Sequence, residues 1–154
     1  MNFRLAKAKD ITELANMRWS WRVDEDGTNP IVSKSEYIDE CVAFLKEGMT
    51  EGTWAYWVAE AEGEVVSHIF VRRVRKVPKP DHLYDEYGYV TNVYTKPSFR
   101  GRGIGTKLME HVKAWAKVQD LEFLIVWPAE ERINFYERVG FRFDAEPVME
   151  FLFR

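Results

Sequence analysis

The chain has 154 residues, and its 22 basic and 25 acidic side chains leave a net charge of −3. Hydrophobic residues make up 46% of it and aromatic residues 15%, which excludes an intrinsically disordered protein. A general nucleic-acid binder would carry a basic excess, so the charge argues against that class as well. The length predicts a single domain spanning residues 1–154.

The number of cysteines and the hydropathy of the chain indicate the cellular compartment of the protein. Cys41 is the only cysteine, so an intrachain disulfide is excluded, which fits a reducing environment. It lies in a helical pattern, and we expect a buried structural thiol rather than a nucleophile. No apolar stretch reaches membrane-spanning length, and the N-terminus lacks the apolar core of a leader. We therefore expect a cytoplasmic protein with neither a membrane nor a nucleic-acid partner.

The first half of the chain predicts a strand, two helices and a hairpin. Asp10 followed by Glu13 predicts a capping box at the start of the first helix. Two runs rich in aromatic and β-branched residues flank Glu62-Gly63, which indicates a hairpin with a tight turn. The predicted bounds are a strand at 3–6, helices from 11 to about 21 and at 35–47, a loop at 24–30, and strands at 54–61 and 65–74.

The second half predicts one amphipathic helix between two strands, then a short helix and a closing hairpin. Apolar side chains recur at helical spacing from Ile104 to Trp115, and the nearly all-apolar run 121–127 predicts a strand buried on both faces. The predicted bounds are strands at 87–95, 121–127, 141–143 and 148–153, and helices at 104–118 and 132–139. This order predicts a mixed α/β domain. Its sheet is mostly antiparallel, with one parallel β-α-β crossover.

A glycine-rich turn joins the strand at 87–95 to the amphipathic helix. Its sequence is Arg100-Gly101-Arg102-Gly103-Ile104-Gly105. The first turn of a helix offers free N–H groups and a partial positive charge, and glycines let the backbone approach a bulky anion. The two arginines add charge-assisted hydrogen bonds. The turn therefore predicts a cradle for the pyrophosphate of a nucleotide-like ligand.

Two other phosphate-binding loops do not match this spacing. A Walker A loop ends in Gly-Lys-Ser/Thr, whereas this chain has Gly105-Thr106-Lys107. A dinucleotide fingerprint needs G-x-G-x-x-G, and these glycines are spaced G-x-G-x-G.

A second signature follows one helix and one strand later, in the run Phe135-Tyr136-Glu137-Arg138-Val139-Gly140-Phe141. With Arg100-x-x-Gly103-x-Gly105 and the element order above, it makes the chain resemble the GCN5-related N-acetyltransferases over essentially its whole length. The resemblance implies an acyl-CoA N-acyltransferase fold with helices on both faces of the sheet. It also implies acetyl-CoA as the co-substrate and no metal.

The resemblance further implies where the coenzyme binds. The pantetheine arm would lie against the strand before the glycine turn, which a bulge splays from the next strand. A backbone N–H of that strand would hold the thioester carbonyl, and the amides of the turn would hold the pyrophosphate. The residues concerned are Val93, Tyr94, Thr95, Arg100, Gly101, Arg102, Gly103, Ile104, Gly105 and Thr106. Asn134, near the start of the helix predicted at 132–139, would also contact the coenzyme.

The implied general acid is Tyr136, which would meet the departing thiolate. With a thiol pKa of about 8.5 and a tyrosine pKa of about 10, full proton transfer is uphill by roughly 2 kcal/mol, so we expect hydrogen bonding to contribute as much. The alternative is a core tyrosine beside Phe135 and Phe141. Glu86 is the first candidate for the general base, Asp85 the second and His68 the third, with water as a further route.

The resemblance also implies that the acceptor contacts come from the first two helices and the loop between them. That region holds Trp19, Trp21, Arg22 and the run Asp24-Glu25-Asp26. The carboxylates would suit a cationic amine, and the tryptophans would add a cation–π wall. The alternative is a solvated loop with tryptophans that pack between helices.

The sequence as a whole predicts an acetyl-CoA-dependent N-acetyltransferase. It would transfer the acetyl group directly to a primary amine, of a small molecule or of a peptide or protein, in a ternary complex. A covalent acetyl-enzyme is not expected, because no cysteine lies near either motif. The alternatives are a non-catalytic acyl-CoA-binding regulatory module and an ATP-binding protein. The strand predicted at 148–153 offers an edge for a homodimer.

Overall fold

The structure is a computed structural model, and it describes residues 1–144 and 146–154. Its strands are β1 (Asn2–Leu5), β2 (Trp54–Ala61), β3 (Glu64–Arg75), β4 (Glu86–Thr95) and β5 (Leu124–Ile125). Its α-helices are α1 (Ile11–Trp19), α2 (Lys34–Glu51), α3 (Ile104–Val118) and α4 (Ile133–Arg138). Single 3-10 turns precede α1 (Ala8–Asp10) and α4 (Glu130–Arg132), and another follows β4 (Pro97–Phe99).

The five strands form one sheet in the order β1-β2-β3-β4-β5. Neighbouring strands from β1 to β4 pair antiparallel, and β5 pairs parallel with β4. The chain passes from β4 through α3 to β5, which confirms the predicted parallel crossover. The mixed α+β fold with a mostly antiparallel sheet is therefore as the sequence predicts.

Helices cover both faces of the sheet, each over its own apolar cluster. On one face, α1 and α2 pack on a cluster that includes Leu14, Leu45 and Phe70. On the other, α3 and α4 pack on a cluster that includes Leu108 and Val112. The stripe predicted for α3 is the buried side of that helix, as helical periodicity requires. Among the described residues, no helix is long and apolar enough to cross a membrane.

The predicted capping box at Asp10 is wrong. The side chain of Asp10 makes no cap hydrogen bond to α1. Instead it accepts a hydrogen bond from the Lys7 backbone N–H at 2.7 Å and pairs with Arg4, also at 2.7 Å. Asp10 is buried, and a buried carboxylate needs a charged partner, which β1 supplies through Arg4. An ion pair with β1, six residues earlier in the chain, thus takes the place of the cap on α1.

The segment between α1 and α2 also differs from its prediction. Residues Ser20–Glu25 continue α1 as a π-helical segment, where a loop from residue 24 was expected. Helix α2 starts one residue earlier and ends four residues later than predicted. Its N-cap Ser33 accepts a hydrogen bond from the Glu36 N–H at 3.1 Å, and Gly52 ends it at a φ of 69°.

The strand predicted at 121–127 is wrong in its length and its burial. Only Leu124 and Ile125 pair with β4, and both are half-buried, because β5 is an edge strand. The two strands meet at Gly88, where an added Cβ would lie 2.6 Å from the Leu124 side chain. Beyond Tyr89 they part. Hydropathy does not show how far a strand stays paired with its neighbour. The apolar run therefore predicted a longer β5 than the structure has.

The predicted closing hairpin is wrong as well. Residues 141–143 and 148–153 form no strand, and residue 145, within the predicted connection, lies outside the described part of the chain. The apolar side chains of this tail are exposed, with Met149 94% and Phe153 92% accessible. An alternating apolar pattern forms a strand only when an edge with free hydrogen-bonding groups receives it.

Candidate active site

A bulge interrupts β4 at Asn92. Two β4 residues, Asn92 and Val93, lie opposite the single β3 residue Ile69, because Thr91 pairs with Phe70 and Tyr94 pairs with His68. Asn92 has a φ of 56°, in the left-handed region that asparagine tolerates better than most residues. This is the bulge that the family resemblance implies for this strand.

A buried histidine holds the bulge from the neighbouring strand. The Nδ1–H of His68 donates to the Asn92 carbonyl oxygen at 2.7 Å. Burial lowers the pKa of His68 to about 4, so its ring is neutral at pH 7. Arg18 of α1 donates to the Asn92 side-chain oxygen, which fixes the same residue from the helix side. His68 is 0% exposed, so it lies behind the strand rather than in contact with solvent.

The bulge decides which way the following residues face. Val90 and Val93 are three residues apart, yet both pack in the cluster under α3, whereas Tyr94 packs under α1. The Lys96 N–H donates to the Val66 carbonyl at 2.9 Å. Paired and free residues alternate in an antiparallel ladder, so the backbone groups of Val93 and Thr95 point away from β3. They face the side where β5 has already parted from β4.

This side of β4 opens into a cleft of about 540 Å³. It runs from the gap between the strands to the glycine turn and the start of α3. Sequence-predicted residues that line it are Val93, Tyr94, Thr95, Arg100, Gly101, Gly103, Ile104, Gly105, Thr106 and Tyr136. The structure therefore brings both signatures to one site.

The glycine turn presents free N–H groups to the cleft. Gly103 caps α3 at a φ of 73°, and Gly101 has a φ of 75°, a backbone conformation that favours glycine. The Lys107 N–H donates to the Gly103 carbonyl at 3.0 Å and makes the first helical bond. The N–H groups of Ile104, Gly105 and Thr106 precede that bond, so a ligand can take them. The turn thus fits an anion such as a pyrophosphate.

Tyr136 is a core tyrosine that also lines the cleft. Its ring packs edge-on against Phe135 and Phe141, with centroids 5.1 and 5.6 Å away, and it belongs to the cluster under α3. It also lines the cleft. Burial raises the pKa of its hydroxyl, with a further contribution from Tyr89, although Arg132 lowers it. The hydroxyl therefore stays protonated at neutral pH and is available as a donor.

The structure does not bring the two candidate carboxylate bases to this cleft. Glu86 is the first residue of β4 and accepts hydrogen bonds from Arg73 at 3.2 and 3.0 Å. Asp85 is buried between Lys76 and Lys79, at 3.4 and 3.3 Å. Seven residues of strand separate Glu86 from Val93, which is roughly 23 Å at about 3.3 Å per residue. Both carboxylates lie at the opposite end of β4 from the gap.

Two of the residues predicted for the coenzyme do not line the cleft either. Arg102 is exposed, and its guanidinium lies over the Phe99 ring, 5.3 Å from the centroid. Asn134 is an exposed residue of the first turn of α4. Two arginines that do line the cleft, Arg132 and Arg138, were not predicted from the sequence. They flank Tyr136 in the sequence, so their positive charge next to the second signature could have indicated that they line the site.

Glu25 is a further site residue whose contacts the sequence did not reveal. The Tyr94 hydroxyl and the Arg100 guanidinium both donate to its carboxylate, the latter at 2.7 Å. Burial raises the pKa of Glu25, but these two hydrogen bonds outweigh that effect and the net pKa is lowered. Burial and Glu25 together raise the pKa of Tyr94 to about 12. The carboxylate therefore stays charged and the phenol protonated at neutral pH.

The acidic run predicted to attract a cationic amine is largely neutralised within the protein. Glu25 pairs with Arg100, and Asp26 pairs with Arg22 at 3.0 Å, while Asp24 is exposed. Asp26 and Arg22 both line the cleft. The predicted cluster is thus divided between two arginines instead of forming one anionic pocket.

The tryptophans of this region also separate. Trp21 lines the cleft and stacks on Tyr94, with ring centroids 5.3 Å apart. Trp19 turns toward Tyr37, 5.4 Å away, in a second cavity of about 270 Å³. On the far wall of the cleft, Tyr89 meets Trp127 edge-on at 4.9 Å. Aromatic rings from three separate parts of the chain therefore line the cleft.

Comparison with known proteins agrees with this geometry. The model of the acetyltransferase (GNAT) domain family matches residues 52–143. The 5-NmdU N-acetyltransferase of Pseudomonas phage PaMx11 is 29% identical over 119 residues, which cover 75% of this chain and 79% of that protein. An uncharacterized N-acetyltransferase of Methanocaldococcus jannaschii is 36% identical over 59 residues, covering 36% of this chain and only 26% of that longer protein.

Solved structures show the same fold. A GCN5-related N-acetyltransferase of Ralstonia eutropha JMP134 matches with a TM-score of 0.75 at 25% identity, over 97% of each chain. A predicted acetyltransferase of Clostridium acetobutylicum, solved with acetyl-CoA, matches with a TM-score of 0.78 at 23% identity, over 97% of this chain and 94% of that one. With a family model that covers more than half of its residues, the chain belongs to the GNAT acetyltransferases, which transfer an acetyl group from acetyl-CoA.

Proposed function

We propose that this acetyltransferase is an N-acetyltransferase that passes the acetyl group directly to a primary amine within a ternary complex. The observation that carries the proposal is the position of Val93. Val93 follows the bulge at Asn92 and lines the cleft, and Tyr136 lines the same cleft. A thioester carbonyl bound at Val93 would then have its sulfur within the reach of a phenolic donor.

Coenzyme binding follows from the same groups. The N–H groups of Ile104, Gly105 and Thr106 would hold the pyrophosphate with Arg100, at the positive end of the α3 dipole. The pantetheine arm would bind the backbone groups of Val93 and the N–H of Thr95, as an added strand does, because Arg100 already donates to the Thr95 carbonyl. The open space beside Gly101 and Gly103, where a Cβ would meet nothing within 4 Å, leaves room for the phosphates.

In the transfer itself, the amine nitrogen attacks the thioester carbon, a C–N bond forms and the C–S bond breaks. The Val93 N–H would stabilise the oxyanion of the tetrahedral intermediate, and such a donor is commonly worth about 3–4 kcal/mol. Tyr136 would donate a hydrogen bond to the thiolate. Its raised pKa makes full proton transfer less favourable than it is for a free tyrosine, so hydrogen bonding is its main contribution.

The attacking amine must first lose a proton. An alkylammonium of pKa about 10.4 is only about 0.04% neutral at pH 7, a cost of roughly 4.6 kcal/mol. His68 is buried with a pKa of about 4, and Glu86 is paired with Arg73 far from the gap. We therefore propose that water in the cleft carries this proton to solvent.

We propose a small-molecule amine as the acceptor. Trp21, Tyr89 and Trp127 line the cleft, and we place the acceptor among these rings, next to Asp26 and its partner Arg22. Such walls suit a flat or cationic amine. The phage relative is named a 5-NmdU N-acetyltransferase, so 5-NmdU is the first acceptor to test, ahead of a panel of aryl and alkyl amines.

The first experiment is calorimetric titration of acetyl-CoA into the purified protein, with ATP as the competing ligand and Gly103→Trp as the control variant. Micromolar binding of acetyl-CoA that Gly103→Trp abolishes and ATP does not reproduce would support the proposed site. Absence of acetyl-CoA binding would contradict it. Binding without turnover of any amine would favour the alternative, a non-catalytic acyl-CoA-binding module.

Direct transfer has its own test. Cys41 lies in α2 and does not line the cleft, so no thiol among the described residues is placed to take the acetyl group. Intact mass after incubation with acetyl-CoA alone should be unchanged. A stable gain of one acetyl group at a cleft residue would show a covalent intermediate instead.

We also propose that residues 1–154 act as one domain and associate as a homodimer. The tail at 148–153 exposes Val148, Phe151 and Phe153, which a second copy would cover. Sedimentation equilibrium should then give twice the monomer mass, and Phe151→Lys should lower it. A monomeric mass at high protein concentration would contradict the dimer.

A further inference from the structure

The Arg100 guanidinium connects the coenzyme cradle to the acceptor side of the cleft. Its Nη2 donates to Glu25 at 2.7 Å, and its Nε donates to the Thr95 carbonyl at 2.8 Å. Glu25 is the last residue of the π-helical segment Ser20–Glu25. That segment also carries Trp21, which lines the cleft where the proposed function places the acceptor. One ion pair therefore links the first residue of the glycine turn to the acceptor wall.

The same carboxylate also holds the strand that would receive the thioester. The Tyr94 hydroxyl donates to the other oxygen of Glu25, and Trp21 stacks on the Tyr94 ring. Tyr94 follows Val93 directly, so Glu25 fixes the segment against β4 beside the proposed oxyanion donor. Three parts of the site, the turn, the strand and the π-helical segment, thus meet at Glu25.

The Arg100–Glu25 pair is open to exchange. The Arg100 side chain is 40% exposed and that of Glu25 27%, and a partly exposed ion pair is weak. A pyrophosphate offers more negative charge and several oxygens, to which a planar guanidinium binds in bidentate fashion. Glu25 and a pyrophosphate would therefore compete for one guanidinium.

We propose that Glu25 is a positioning residue, the counter-ion that Arg100 gives up for the acetyl-CoA pyrophosphate. The proposal rests on the proposed function, which places the pyrophosphate at this turn. Without acetyl-CoA, Arg100 and Tyr94 both hold Glu25, and the segment Ser20–Glu25 is fixed. With acetyl-CoA, Arg100 turns to the phosphates and Glu25 keeps Tyr94. Coenzyme binding thereby removes one of the two contacts that fix the segment Ser20–Glu25, which carries Trp21. The coupling is reciprocal, so acceptor binding at this segment changes the affinity for acetyl-CoA by the same factor.

The test compares acetyl-CoA binding by calorimetry in wild type, Glu25→Gln, Arg100→Ala and the double variant. The amide oxygen that Glu25→Gln introduces still accepts from Tyr94, so this change removes the charge and keeps the contact. We expect Glu25→Gln to tighten the Kd about two- to fivefold, the range of a partly exposed ion pair. Arg100→Ala should weaken binding, and Glu25→Gln should have no further effect in that background.

Two controls separate exchange from a general charge effect. Asp24→Asn removes the same charge from the exposed neighbour and should leave the Kd unchanged. Acetyl-pantetheine, which lacks the pyrophosphate, should bind wild type and Glu25→Gln equally. Thermal unfolding followed by circular dichroism checks that each variant is folded.

Several outcomes would overturn the proposal. The first is that Glu25→Gln binds acetyl-CoA no more tightly than wild type, which is the result expected of a purely structural carboxylate. Equal tightening in Asp24→Asn, or with acetyl-pantetheine, would also refute it, because neither involves Arg100. If wild type itself fails to bind acetyl-CoA, the proposed function falls first and this proposal with it.

Discussion

The Nδ1 atom of His68 lies 2.7 Å from the carbonyl oxygen of Asn92, and this contact between β3 and β4 fixes the residue at which β4 bulges. Because Nδ1 must donate to a carbonyl, the tautomer is determined and Nε2 is unprotonated. In the part of the chain that the structure describes, Nε2 has no hydrogen-bond partner and is buried. His68 therefore acts on the site through the strand and not by contact with a substrate.

The first prediction concerns the pH dependence of stability. The pKa of His68 is about 4 in the folded protein and about 6.5 in the unfolded chain. Between these values the unfolded chain binds the proton and the folded protein does not, so stability rises with pH across this window. We expect the free energy of unfolding to fall by up to about 3 kcal/mol as pH is lowered from 6.5 to 4. Urea unfolding at a series of pH values measures it.

A second prediction concerns the contact itself. His68→Phe keeps the ring but leaves the buried Asn92 carbonyl without its donor, which should cost about 1–3 kcal/mol at pH 7. The variant should also lose the part of the pH dependence that His68 contributes. It should weaken acetyl-CoA binding as well, because the bulge is no longer held. His82→Phe, at an exposed histidine, is the matched control, and a pH profile identical to wild type in His68→Phe would refute the assignment.

The third prediction tests the close approach of β4 and β5. A Cβ at Gly88 would lie 2.6 Å from Leu124 and 2.9 Å from Val71, so Gly88→Ala should destabilise the fold by about 1–3 kcal/mol. At Gly105 the nearest atoms are 3.7 Å away and the residue is helical. Gly105→Ala should therefore leave stability unchanged or raise it by up to about 1 kcal/mol. Equal losses in both variants, by urea unfolding, would contradict this.

The fourth prediction concerns Tyr136. Tyr136→Phe keeps the packing against Phe135 and Phe141 but removes the donor to the thiolate. A hydrogen bond to a charged group contributes about 1.5–3 kcal/mol, so kcat should fall about 10- to 150-fold with the acetyl-CoA affinity nearly unchanged. Steady-state kinetics and calorimetry give the two values. An unchanged kcat would contradict this prediction and show that the role of Tyr136 is purely structural.

The fifth prediction separates the proposed water route from a carboxylate base. Because Glu86 is paired with Arg73 at the far end of β4, Glu86→Gln should lower kcat/KM less than about threefold and stability by no more than about 1 kcal/mol. A loss of about 100-fold or more, together with a changed pH–rate profile, would establish Glu86 as the base after all.

Short-range patterns carried the predictions that hold. The hairpin at Glu62-Gly63, the buried stripe of α3 and the glycine turn each depend on residues close in the chain, where periodicity and turn chemistry decide. The family assignment likewise came from two local signatures, each confined to a few consecutive residues. The parallel crossover followed from the order of elements alone.

Contacts between separate secondary-structure elements account for the expectations that failed. Asp10 is taken by Arg4 instead of capping α1, and β5 ends where β4 turns away from it. The role of Glu86 as a base stays a prediction, and the sequence did not reveal that Arg73 of the neighbouring strand pairs with it. In each case a partner elsewhere in the chain decides the outcome, and hydropathy does not identify that partner.

The sequence by itself determined the family, the fold class and the glycine turn at the start of α3, because backbone conformation and helix onset are set locally. Only the tertiary structure decided that His68 supports the bulge at Asn92 and that Glu25 holds Arg100. The members of these two pairs are 24 and 75 positions apart in the chain, and they come together only through strand register and helix packing. Bringing such distant residues together costs loop-closure entropy, which only the folded protein as a whole offsets. The chemistry of the site therefore depends on the tertiary structure.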